Sequence, residues 1–75
     1  MEGDDIINGL EGHDQIYGHL GNDELHGGIG NDHLEGGYGN DELYGYSGND
    51  YVYGNEGVNK LYGGEGDDYM EGGDN

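Results

Sequence analysis

Two interleaved series of glycines, each with a period of nine residues, constrain the fold of this chain more than any other feature. The first series is Gly9, Gly18, Gly27, Gly36, Gly45, Gly54, Gly63 and Gly72. The second lies three residues further along, at Gly3, Gly12, Gly21, Gly30, Gly39, Gly48, Gly57 and Gly66. Glycine spacing therefore alternates between three and six, and the chain has no proline, which excludes the every-third glycine of collagen. The chain is a nonapeptide array, and such a period decides the fold.

Two further positions of the nonapeptide keep their character along the chain. With the first glycine series as position one, position six carries Asp5, Asp14, Asp23, Asp32, Asp41, Asp50, Asn59 and Asp68. Position eight is always apolar: Ile7, Ile16, Leu25, Leu34, Leu43, Val52, Leu61 and Met70. One apolar residue in nine cannot form the stripe of an amphipathic helix, which needs three or four in two turns. It suits a short strand that points one side chain inward.

Each repeat thus divides into a six-residue turn and a three-residue strand. We expect glycines at positions one and four to adopt positive φ, and Asn or Asp at positions five and six to tolerate such a turn. Positions seven and nine should face solvent because strand side chains alternate. They are polar or tyrosine almost throughout, with Ile6 as the exception.

Composition requires a stabilising partner for so small a chain. Seventy-five residues bury too little surface to be stable without a staple or a metal, and the absence of cysteine excludes disulfides and Cys-rich zinc sites. The chain has 18 acidic residues and one basic residue besides histidine, Lys60, which gives a formal net charge of −17. Such a surface repels nucleic acid and anionic membranes, so we expect neither as a partner. With so much charge and glycine, disorder is the default unless a counterion binds.

Two repeats, at 27–35 and 36–44, read GGIGNDHLE and GGYGNDELY and match every specified position of the RTX nonapeptide consensus. The chain resembles the RTX repeats over essentially its whole length. The resemblance implies an all-β, right-handed parallel β-roll of about four coils, with two repeats per 18-residue coil and calcium between the turns of successive coils. The chain departs from the consensus at Leu10, His19, Tyr46, Asn55, Val58 and Asn59.

Calcium takes about six to eight oxygen ligands from carboxylates and backbone carbonyls, which glycine-rich turns with one aspartate can supply. In a two-repeat coil, stacked turns belong to alternate repeats, so each site draws on position-six residues 18 apart. The first edge of the roll then carries three sites, between Asp14, Asp32, Asp50 and Asp68. The second edge carries two full sites and one weakened by the neutral amide, between Asp5, Asp23, Asp41 and Asn59. We predict five calcium ions and a weakened sixth site.

Catalytic chemistry is not expected from these residues. The four histidines, His13, His19, His26 and His33, occupy positions five, two, nine and seven, so they should scatter over different surfaces. Ser47 is the only serine, and with no Cys or Thr no nucleophilic triad can form. An EF-hand is excluded because no acidic triplet with the required spacing occurs. We expect no enzyme, no catalytic residue and no organic cofactor.

Tyrosines are the remaining surface feature. Because alternate repeats stack on one another in a two-repeat coil, Tyr51, Tyr53 and Tyr69 should share one outward face, and Tyr44 and Tyr62 should share the other. They fit packing between neighbouring strands, or a face for self-association as a scaffold. An ice-binding or adhesive roll is a further alternative, although the regular outward threonine array of such rolls is missing.

The cellular context rests on the resemblance. RTX arrays are secreted by type I systems, attached to proteases, lipases, toxins or adhesins, which implies an extracellular location for a single array over 1–75. The sequence begins and stops within a repeat, so we expect a designed chain or an excised fragment in preference to a complete natural protein. The uncapped ends would allow end-to-end self-association. No apolar stretch is long enough for a membrane span or a signal-peptide core.

Overall fold

The computed structural model describes residues 4–72 and contains eight three-residue strands. They are β1 (Ile6–Asn8), β2 (Gln15–Tyr17), β3 (Glu24–His26), β4 (His33–Glu35), β5 (Glu42–Tyr44), β6 (Tyr51–Tyr53), β7 (Lys60–Tyr62) and β8 (Tyr69–Glu71). Within the described range all regular structure is strand. A search of these residues for a helix long and apolar enough to cross a membrane finds none.

The strands form two four-stranded parallel sheets that separate odd from even repeats. The odd sheet has the order β1-β3-β5-β7, and the even sheet has the order β2-β4-β6-β8. Each strand pairs with the strand two repeats later, as Leu25 with Leu43 in the odd sheet and Leu34 with Val52 in the even sheet. The two-repeat, 18-residue coil is therefore confirmed, and the chain is a β-solenoid of four coils.

Position eight lines the narrow space between the two sheets. The buried core consists of Ile16, Leu25, Leu34, Leu43 and Val52. Ile7 and Leu61 pack against this core but are only partly buried, and Met70 is 48% exposed. The inward orientation is confirmed in the middle coils. The outer strands are less covered because, within residues 4–72, a neighbouring coil stacks on one side of them only.

Tyrosines lie on the outward faces that parity assigned to them. Tyr51, Tyr53 and Tyr69 belong to the even sheet, whereas Tyr44 and Tyr62 belong to the odd sheet. The rings of Tyr44 and Tyr62 stack with centroids 4.9 Å apart and planes 5° from parallel. The Tyr44 hydroxyl donates to Glu42 at 2.7 Å, and this hydrogen bond is the main reason that the pKa of Tyr44 is raised to about 12.

Positive φ occurs at positions two and four, so the prediction is confirmed for position four and wrong for position one. Position-four glycines have φ between 102° and 121°. A Cβ on Gly48 would lie 2.1 Å from the carbonyl oxygen of Gly30, one coil below, so only glycine fits there. Among the described residues, no Asn or Asp of positions five and six has positive φ. Within residues 4–72, position two is glycine in three repeats, and in the others it holds non-glycine residues with left-handed φ of 65° to 72°, namely Leu10, His19, Tyr46 and Asn55.

Replacing Leu10 with glycine should stabilise the calcium-bound fold. Leu10 is 71% exposed and has φ of 72°, a conformation that costs an L-residue about 1–2 kcal/mol and glycine nothing. The greater freedom of unfolded glycine offsets about 0.4–1 kcal/mol of this, so Leu10→Gly should gain about 0.5–1 kcal/mol. Asn55→Gly is the matched control with little gain, because asparagine tolerates φ near 65°. Urea denaturation at fixed calcium measures both; equal gains would contradict the strain argument.

Candidate metal centres

From Asp23 onwards, each position-six side chain reaches back to the preceding coil. One carboxylate oxygen of Asp23 accepts a hydrogen bond from the backbone N–H of Asp5 at 2.8 Å, and Asp50 accepts one from Asp32 at 2.8 Å. The same bond recurs on both edges over distances of 2.7 to 2.9 Å, with Asn59 Oδ1 taking the place of a carboxylate oxygen opposite Asp41. The six predicted pairs of position-six residues are therefore neighbours in space, each 18 residues apart.

Position-five side chains form a second ladder that runs in the opposite direction. The backbone N–H of Asn40 donates to the Asn22 side chain, and that of Asn49 donates to the Asn31 side chain, both at 2.8 Å. His13 serves the same purpose through Nδ1, which accepts from the N–H of Asn31 at 2.9 Å. Sequence reasoning missed this ladder, because it treated Asn at position five only as a turn former. The signal was the recurrence of an acceptor side chain directly before the aspartate.

The second carboxylate oxygen of six aspartates is buried and has no hydrogen-bond partner. These atoms are Oδ2 of Asp5, Asp14, Asp23, Asp32, Asp41 and Asp50. Four of the residues, Asp23, Asp32, Asp41 and Asp50, are only 1% exposed. A buried carboxylate without a partner destabilises the fold. Protonation of the carboxylate or a bound cation would remove this destabilisation.

Position-one glycines make room for these oxygens, and this explains why that position lacks a side chain although its φ is ordinary. A Cβ on Gly9 would lie 2.7 Å from Asp14 Oδ2 and 2.8 Å from the carbonyl oxygen of Gly27. On the other edge, a Cβ on Gly18 would lie 2.7 Å from Asp23 Oδ2. Each hollow thus brings together a carboxylate oxygen and a backbone carbonyl oxygen of the next coil, which are the donors that calcium prefers.

Asn59 shows what surrounds the end of a position-six side chain. Its amide nitrogen donates to the carbonyl oxygens of Glu56 at 3.4 Å and of Gly57 and Gly72 at 3.5 Å. We infer that the repeated backbone presents equivalent carbonyls to each aspartate. An amide can donate to such carbonyls, but an ionised carboxylate oxygen cannot, so an ionised aspartate there completes a set of oxygen acceptors that a bound cation would satisfy.

Burial weakens the acidity of the central aspartates. Burial raises the pKa of Asp41 and of Asp50 to about 6, and it also raises the pKa of Asp32. The backbone hydrogen bonds to these carboxylates lower the pKa, but by less than burial raises it. Like-charged neighbours add to the effect, as Asp23 does for Asp41. In the absence of a cation, the stacked carboxylates therefore destabilise the fold at neutral pH.

Histidines lie apart from one another, as the repeat positions predicted. His13 belongs to the position-five ladder and His19 to a turn, while His26 and His33 lie on opposite sheets. His33 contacts Glu35 at 2.7 Å. Within residues 4–72, no group of three His, Asp or Glu side chains is placed so that those side chains together could hold a metal ion.

These features define the class: a parallel β-solenoid whose glycine–aspartate turns stack into a column of oxygen-lined hollows along each edge. Compared with known protein families, the chain matches the family model described as RTX calcium-binding nonapeptide repeat (4 copies) over residues 1–34, 26–61 and 50–75. The chain therefore belongs to the RTX calcium-binding nonapeptide repeat family, a family of structural calcium-binding β-roll modules. Comparisons with curated proteins and with solved structures gave no match.

Proposed function

We propose that calcium ions bind in the spaces between successive turns and that their binding completes the fold. The observation that carries this proposal is the row of six buried Oδ2 atoms without partners. Three spaces lie between the four turns of each edge, and each of the six spaces contains one of these oxygens. A calcium ion would supply the missing partner, bind carbonyl oxygens of both coils and turn the repulsion between stacked carboxylates into attraction.

Five of these spaces have an aspartate from both turns, and the sixth lies between Asp41 and Asn59. We assign the ligands to Asp14, Asp32, Asp50 and Asp68 on the first edge, and to Asp5, Asp23 and Asp41 with Asn59 on the second. Five divalent ions would reduce the formal net charge from −17 to −7. The family's usual place in secreted toxins supports an extracellular location, where calcium modules typically bind with Kd of about 10⁻⁴–10⁻³ M.

Changing Asn59 to aspartate should add or tighten one calcium ion. The substitution replaces an amide that donates to three carbonyls with a carboxylate that needs a cation, and it completes the space shared with Asp41. Calorimetric titration should show about five ions for the original chain and about six for Asn59→Asp, with most of the added affinity at one site.

The matched control is Asn55→Asp, which adds the same charge at an exposed turn position outside the column. It should leave the stoichiometry unchanged. A sixth ion in both variants would show that net charge, and not the position-six column, determines calcium binding.

The pH dependence should have opposite signs with and without calcium. In a chelator the folded pKa of Asp41 and Asp50, about 6, lies above the unfolded value. Their contribution to stability is therefore present at low pH and is lost as the pH rises through about 6. Acidification of the calcium-free chain from neutral pH should increase its β-sheet content.

In saturating calcium the bound ions hold the folded pKa of the same carboxylates below the unfolded one, so stability is lost as the pH falls. Circular dichroism recorded over this pH range in a chelator and in calcium measures both signs. Acid-induced loss of structure in both conditions, or a loss in calcium that follows histidine titration near pH 6.5, would contradict the prediction.

A further inference from the structure

A small notch opens where the odd sheet meets the turns of the first edge. It has a volume of about 210 Å³ and is lined by Asn8, Leu10, His26, Gly28 and Tyr46. Leu10, Gly28 and Tyr46 occupy position two of three successive coils on this edge. Because Gly28 has no side chain, the side chains of the coils below and above it border an open space.

The borders of the notch are large side chains on left-handed backbone. Leu10 and Tyr46 hold φ values of 72° and 67° at position two, on either side of Gly28. Both are exposed, by 71% and 46%. Left-handed backbone at residues with large side chains is uncommon and is found preferentially where a side chain is held for binding. Gly28, which lies between these two residues, has no room for a side chain, since a Cβ there would lie 2.1 Å from the Leu10 carbonyl oxygen.

The aromatic rings of the notch are held in place. His26 Nδ1 lies 2.7 Å from the Tyr46 hydroxyl, and their ring centroids are 5.7 Å apart. The His26 ring is also stacked on Tyr44, with centroids 4.9 Å apart and planes 4° from parallel. The Tyr46 ring therefore leans towards the coil of Gly28, where it forms an aromatic wall of the notch that Leu10 also lines.

The charge around the notch favours a cation. Glu24 lies 3.5 Å from His26 Nε2, and Glu11 lines the adjoining apolar hollow with Leu10 and Ile29. The only basic residue besides histidine, Lys60, lies on β7, two strands from the His26 strand β3. We propose that the Gly28 notch binds a planar aromatic cation, with its ring against Tyr46 and Leu10 and its charge towards these carboxylates. Stacking on tyrosine and cation–π attraction would supply the affinity.

Benzamidinium is the probe, titrated into the calcium-loaded chain, because the inference rests on the calcium-dependent fold proposed above. NMR amide shifts should saturate at Leu10, Gly28 and His26. Tyr46→Gly restores the glycine of the repeat and should keep the fold while raising the benzamidinium Kd at least about tenfold, the loss of one aromatic contact with a cation. Asn55→Gly, the same change on the other edge, is the matched control and should leave Kd within about twofold, since it removes no contact.

Two further probes test the chemistry. Benzamide has the ring without the charge and acetamidinium has the charge without the ring, so both should bind at least about tenfold more weakly. Equal binding of either probe, or an unchanged Kd in Tyr46→Gly, would overturn the notch as an aromatic-cation site. A chain that folds in calcium but shows no saturable shifts overturns this inference alone. A chain that stays unfolded in calcium overturns the proposed function and the notch with it.

Discussion

In excess chelator at neutral pH the chain should be unfolded, and millimolar calcium should produce the β-sheet signal of the solenoid in a cooperative transition. Among residues 4–72, the buried core contains only five side chains, whereas six buried carboxylate oxygens have no partner without an ion. Each calcium site contributes about 2.7 kcal/mol when the free ion exceeds its Kd a hundredfold. Five such sites together match the whole stability of an ordinary domain, about 5–15 kcal/mol. Ion binding therefore decides whether this chain folds.

Circular dichroism in a calcium titration measures this transition, and two control ions separate coordination from screening. Magnesium should substitute poorly because it requires tight octahedral geometry and retains its waters. Sodium chloride at matched ionic strength screens the carboxylates without filling the hollows, so it should leave the chain unfolded. A chain already folded in chelator, or one folded equally by magnesium or sodium, would show that the hollows are not calcium sites.

Removing an inner aspartate should abolish two ions, and removing the last aspartate of the same edge should abolish one. Asp32 accepts from the backbone of Asp14 and donates its own N–H to Asp50, so it borders two inter-turn spaces. Asp68 borders one described space, the one that it shares with Asp50. At calcium a hundredfold above Kd, Asp32→Ala or Asp50→Ala should cost about 5 kcal/mol and Asp68→Ala about half of that.

Calorimetric stoichiometry and the calcium midpoint of folding measure these losses. Asp67→Ala is the matched control, because it removes the same charge from the neighbouring exposed position, whose side chain lies outside the position-six column. It should bind as many ions as the original chain. Equal losses for Asp32→Ala and Asp68→Ala would be incompatible with ions shared between successive turns.

The sequence by itself determined the features that repeat along the chain. The glycine period and the apolar residue at position eight predicted turns and strands in the right places, because a side chain alternates within its own strand. Parity then placed Tyr44 and Tyr62 on one sheet and Tyr51 on the other, as the structure confirms. The pairs of position-six residues followed from the resemblance to a two-repeat coil.

Only the tertiary structure decided what each turn residue does, because the decisive contacts join residues 18 apart. Position-one glycine serves to admit the carboxylate of Asp14 or its equivalents, and not to reach positive φ. The opposed ladders of positions five and six, and the amide of Asn59 donating to three carbonyls, depend on which way a side chain points along the stack. One nonapeptide contains no information on that direction, since the partners are supplied by the coil above or below.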